Sequence, residues 1–240
     1  MAGYDPRSFP PGTWLGGRPT PGATALLIVV GAIFLTYVFL HDHAAGRFVA
    51  QHLALRPRLG LGAEPWQLVT SGLVHLRFSQ LLGSAGGLWI FGSAIELVAG
   101  RRRLLAIFVA AQLAGTLVLA GIGRLLTPEL TYAGCDPGVI GLLGAFAVYY
   151  GPRRLSLFGA VDLSGRVVAW LFLGLSLLVR LLQGDWAGLG GAITAAGVGL
   201  LLAGGTGERL AILWDRLRLH RLRRKYRVID GGKSGARWVS

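Results

Sequence analysis

The 240-residue chain has a single cysteine and a single methionine. One thiol cannot build a disulfide framework or a multi-cysteine metal centre. Acidic residues are scarce too: 11 Asp and Glu stand against 24 Lys and Arg, a formal net charge of +13. Only 15% of the residues are charged, against about 25% in soluble domains. That shortage excludes an ordinary soluble globule, and 53% hydrophobic residues exclude a disordered chain. What abounds is glycine, 38 residues of it, together with long uncharged runs, and mean hydropathy is +0.57. This is the composition of a polytopic helical membrane protein. A charge of +13 on a soluble chain would suggest nucleic acid. Here the basic residues gather at the ends of apolar runs and in a C-terminal tail, so the expected partners are membrane lipids and no nucleic acid.

Residues 1–22 are polar, rich in Pro and Gly, and read as a flexible arm without the pattern of a signal peptide. Residues 23–205 read as a six-helix membrane domain, and 206–240 as a basic tail. Within the domain, spans are predicted at 23–40, within 68–99, at 104–122, 167–183 and 186–204. The segment 41–65 mixes apolar and basic residues, as a loop lying at the interface does. The apolar run Pro137–Tyr150 gives only ~21 Å of helix. That is too short for a ~30 Å hydrocarbon core, so its start must lie below the membrane surface, sheltered by protein or by a water-filled cavity.

Charge orients the bundle. With both termini in the cytoplasm, 18 of the 24 Lys and Arg fall on that side. The positive-inside rule favours this arrangement, in a bacterial inner membrane. In the tail, 208–227 reads as an amphipathic helix. Leu210, Leu213, Trp214 and Leu217 share a face, and Arg216, Arg218, Arg221, Arg223, Arg224 and Lys225 cover much of the rest. Such a helix suits anionic lipid, at about 1 kcal/mol per basic side chain.

Small residues let membrane helices approach closely. Gly138, Gly141 and Gly144 recur near the helical repeat, and Gly191, Ala195 and Gly199 repeat every four, so the fourth and sixth helices are expected to pack face to face. Trp66-Gln67-Leu68-Val69-Thr70 with His75, Phe91-Gly92 with Glu96 and Gly100-Arg101, Gly141-Leu142-Leu143-Gly144 and Leu189-Gly190-Gly191-Ala192 follow one another in order. With six spans, a long first loop and a short fourth helix, this set resembles the rhomboid superfamily over roughly residues 24–205. The resemblance implies an all-α, six-helix rhomboid-like bundle.

It also implies chemistry. Active rhomboids use a serine at the buried start of helix four, a histidine base on helix six, and a His and an Asn on helix two beside the oxyanion. Aligning the glycine strings puts Asp136 on the serine, Pro137 on the glycine after it, Gly188 on the base, Gln80 on the helix-two histidine and Ser84 on the asparagine. No serine lies between Ser93 and Ser156, and no histidine between His75 and His220, so no shift of alignment restores the pair. The expectation is a catalytically inactive rhomboid-like protein, a pseudoprotease, with no cofactor and no metal. What resemblance to inactive rhomboid relatives implies is binding to transmembrane segments of client or partner proteins. The alternatives are an intramembrane endopeptidase with a non-standard site at Cys135 or Asp136, and a structural subunit of a membrane complex.

Other residues have plainer readings. Asp136 before Pro137 suits a helix N-cap with proline at N1, besides a client contact or proton and ion handling. Cys135 reads as an inert buried thiol unless His75 serves it as base. His41, Asp42, His43 and His52 have no known metal-ligand spacing, and interfacial histidines ordinarily meet water. Glu96 reads as a polar clasp near Arg101, Arg102 and Arg103. Gln80 and Ser84 share a helix face, and bond between helices or line a hydrated remnant of the catalytic cavity.

Overall fold

The computed structural model describes residues 17–40, 43–59, 64–157 and 161–204. Most of the N-terminal arm, His41, Asp42 and the whole basic tail with Arg216, Arg218, Arg221, Arg223, Arg224 and Lys225 lie outside the described residues. Six main helices follow the predicted order: α1 Pro21–Leu40, α2 Phe78–Ala99, α3 Arg101–Leu126, α4 Asp136–Tyr149, α5 Gly165–Leu182 and α6 Trp186–Ala203. All except α4 are long and apolar enough to cross a membrane.

Their ends follow local chemistry. Gly100, at φ +81°, breaks the chain between α2 and α3, a conformation that glycine adopts without strain. Ser164 caps α5 by accepting the Val167 N–H at 3.3 Å, and Asp185 caps α6 by accepting the Gly188 N–H at 2.8 Å. The first loop holds short helical pieces, Ala44–Phe48, Val49–Leu53 and Pro57–Leu59, and a bridge from Leu55 to Tyr132 docks it on the loop before α4. Phe48, Trp66 and Val69 remain exposed on this layer, as suits a segment in the interface.

The centre is built by α3, α4 and α6. Nearly every residue from Pro137 to Phe146 is buried, so α4 is enclosed by protein, the condition its short length demanded. The small-residue stripes meet as expected at two levels: a β-carbon at Gly199 would overlap the Gly141 carbonyl, and one at Gly144 would overlap that of Ala196. The face-to-face reading needs correction at the other end. Gly138 lies against the Phe108 ring and Gly191 against the Gly115 carbonyl, both on α3. The glycines therefore join three helices, α3, α4 and α6.

Three further differences have physical causes. Helix α1 starts at Pro21, and Glu96 caps it: its carboxylate accepts the Gly22 and Ala23 N–H groups at 2.9 and 3.0 Å and the Thr20 hydroxyl. The partner of Glu96 is thus the positive end of a helix, where sequence suggested the nearby arginines. The three arginines open α3, and Arg103 donates to the Leu202 carbonyl at 2.7 Å, tying α3 to the end of α6. Between α4 and α5 the chain forms a hairpin of β1 Arg154–Leu157 and β2 Val161–Ser164 where a plain loop was expected.

The outer helices carry the lipid-facing surface. On α5, Val168, Ala169 and Leu173 are buried, while Trp170, Leu171, Leu175, Leu178 and Leu182 are exposed. With this much apolar surface outward on several helices, the chain is an integral membrane protein.

Candidate functional site

The segment from Tyr132 to Asp136 enters the bundle and turns into α4. Gln112, buried in the middle of α3, holds that turn from both sides. Its Nε2 donates to Thr116 Oγ1 at 3.0 Å and to the Gly134 carbonyl at 3.4 Å, and its Oε1 accepts the Gly138 N–H at 3.0 Å. Gly134 sits at φ +109° and gives its N–H to the Ser71 carbonyl at 2.8 Å. From α2, the Gln80 amide donates to the Ala133 carbonyl, and a β-carbon at 134 would overlap that amide. One turn on, Ser84 donates to Asp136 Oδ1 at 2.8 Å.

Asp136 opens the first turn of α4 with Cys135 at the N-cap, and no side-chain cap bond is made. The capping role expected for Asp136 is therefore not what its carboxylate does. Its Oδ2 faces Arg180 Nη2 of α5 at 3.3 Å, and Arg180 Nη1 faces Asp185 Oδ2 at 3.4 Å. Asp185 Oδ1 also accepts the Tyr132 hydroxyl at 3.3 Å, and that hydroxyl lies 2.9 Å from Thr127 Oγ1. One guanidinium thus joins two carboxylates, and the chain of contacts ties α2, α4, α5 and the entry to α6 together.

This network borders two spaces. A cavity of about 560 Å³ is lined by Gln80, Tyr132, Asp136, Arg180, Asp185 and Gly188, among others. An apolar groove of about 380 Å³ runs between α2 and α5, past Gly83, Gly86, Ile90, Leu143 and Phe172. Asp136 and Arg180 border both.

Four of the positions singled out from sequence, Gln80, Ser84, Asp136 and Gly188, converge here. Gly188 lies against the ion network. A β-carbon there would overlap the Asp185 carboxylate and stand 2.6 Å from Arg180 Nη1. The space a helix-six base would enter is filled by the ion pair. Pro137 has no N–H to offer, and the Gly138 N–H is taken by Gln112. Asp136 has both carboxylate oxygens engaged, one by the Ser84 hydroxyl and one by Arg180.

Cys135 and His75 do meet, with Sγ 3.8 Å from Nε2, but both are fully buried. A thiol sealed from water stays neutral and inert. His52 engages Glu64, Nδ1 to Oε1 at 2.7 Å, and its side chain remains 40% exposed. Among the described residues no three His, Cys, Asp or Glu side chains are grouped to hold a metal ion.

Arg180, Asp185, Gln112 and Tyr132 went unrecognised as site residues in the sequence. Arg180 carried a usable signal, being the single charge inside the fifth apolar run, where an ionisable group implies a partner. Gln112 similarly interrupts the third.

Comparison with known proteins bears on the fold. A family model described as the rhomboid domain matches residues 62–205. The "Rhomboid protease GluP" of Bacillus subtilis is 29% identical over 150 residues, covering 61% of this chain and 29% of that protein. The "Putative rhomboid protease YdcA" of the same organism is 31% identical over 85 residues, 35% of this chain and 40% of that protein. The chain thus aligns with less than half the length of either curated relative.

Proposed function

The chain belongs to the rhomboid superfamily, and from that membership we propose that it is a catalytically inactive member that binds transmembrane segments of client or partner membrane proteins. The relatives it matches are described as proteases, and the family reaction needs a nucleophile with a base beside it. The observation that carries the proposal is the Asp136–Arg180–Asp185 ion network, at the positions that the resemblance assigns to the serine and its base. A rhomboid bundle without that pair still has the cavity and the α2–α5 groove, both of a size to accept part of another helix. We place the protein in a bacterial inner membrane with both termini cytoplasmic, on the strength of the Lys and Arg distribution.

A serine-directed fluorophosphonate tests the inactive state. The purified full chain is expected to remain unlabelled under conditions that label an active rhomboid fully, because residue 136 has no hydroxyl. Stoichiometric labelling at any serine would refute the proposal.

One contact favours a second reading, an intramembrane endopeptidase using Cys135. His75 is near enough to serve as its base. That reading requires the buried thiol to open toward the cavity, and it predicts turnover that depends on Cys135.

A further inference from the structure

Asp136 is the most accessible charge in the network. Its side chain is 39% exposed, against 18% for Arg180 and 20% for Asp185. It stands where the apolar groove between α2 and α5 meets the polar cavity. We propose that the groove receives a transmembrane segment carrying a lysine or arginine, and that Asp136 is the group that pairs with it. This rests on the client-binding reading above and specifies the chemistry of the client.

Both terminal nitrogens of Arg180 already face carboxylates, and its Nε, which has no hydrogen-bond partner, is buried away from the groove surface. Asp185 accepts from Arg180, Tyr132 and the Gly188 N–H. An ionised carboxylate has about four lone-pair sites, and Asp136 uses two, for Ser84 and Arg180. What the groove presents to an incoming helix is therefore an acceptor. The charge points the same way, since two carboxylates share one guanidinium. Arg77 lines the cavity, but it does not border the groove. A client carboxylate would meet the exposed Asp136 first and be repelled, whereas a client cation would balance the second carboxylate. In the membrane such a group has few other partners. The wall can also admit a helix closely, because Gly83 and Gly86 on α2 face open space.

The test reconstitutes the full chain in lipid nanodiscs with a labelled Leu/Ala host helix, and measures association by energy transfer. The host carries Lys, Glu or Leu at the depth of Asp136. The Lys host is expected to associate about tenfold more tightly than the Leu host, and the Glu host no better than Leu. Asp136→Asn should bring Lys down to the Leu level. Arg180→Gln, which leaves Asp136 without its cation, should widen the Lys preference. Gly86→Leu, which fills the groove at a position with room for a side chain, should reduce association of every host while leaving thermal unfolding unchanged. Equal association of Lys and Leu hosts, or preference for Glu, would overturn the basic-client assignment while leaving client binding intact. Absence of association by any host would overturn both. If Asp136→Asn does not fold, the Arg180→Gln and Gly86→Leu results decide.

Discussion

A β-carbon at residue 188 would run into the Asp185 carboxylate, so the base position is occupied as well as empty of a base. Reintroducing the chemistry therefore has a structural cost. Gly188→His should destabilise the protein by about 1–3 kcal/mol, the usual range for overpacking, seen as a lower unfolding temperature in detergent. Asp136→Ser combined with Gly188→His should leave cleavage of a helix-destabilised transmembrane substrate at background. The imidazole would have to displace Arg180 and Asp185, Pro137 still removes an N–H, and Gln80 is engaged with Ala133. Clear turnover by the double variant would show that the ion pair yields easily to a serine and a histidine at these positions. The same residues show where sequence reasoning stops. That Asp136 and Gly188 stand at the serine and histidine positions is what the resemblance implies once the glycine strings are aligned. That Arg180, 44 positions after Asp136, fills the gap between them is a long-range pairing with no local pattern to announce it.

Helices in this bundle are held by backbone approach more than by large side chains. The contact between Gly199 and the Gly141 carbonyl is the clearest case, and Gly197 on the same helix faces open space. Gly199→Ala is expected to force α4 and α6 apart and lower stability by about 1–3 kcal/mol, while Gly197→Ala changes little, both measured by thermal unfolding. Equal effects would mean that helix propensity, not approach, governs α6. Five of the six helices were readable from apolar runs to within a few residues, because length and hydropathy set them almost alone; α2 was bracketed only within 68–99, without its start at Phe78. Which faces meet was less readable. Glycine spacing located the tight positions, but Gly138 and Gly191 proved to serve α3, since a stripe of small residues does not name its partner. The hairpin at Arg154–Ser164 was hidden because four-residue strands in a charged loop carry little periodic signal.

For the whole molecule, membership of the family and the apolar exterior establish a membrane bundle. The proposed orientation rests on the distribution of Lys and Arg. Tags at either end should be reachable only after the cytoplasmic side is opened; labelling of the C-terminal tag in intact cells would reverse the topology. The basic tail, outside the described residues, is expected to favour anionic vesicles. Replacing Arg221, Arg223, Arg224 and Lys225 with Gln in the full chain should reduce tail protection from protease on anionic nanodiscs and leave it unchanged on neutral ones. Protection equal on both lipids, before and after substitution, would remove the electrostatic reading. The central claim is that an ion network has taken the place of the catalytic pair. The most direct measurement is cleavage of a helix-destabilised transmembrane substrate by the purified, unmodified chain, beside an active rhomboid. The account predicts no product above background from this chain while the active enzyme cleaves. Cleavage by the unmodified chain, abolished by Cys135→Ala or by Asp136→Asn, would contradict it.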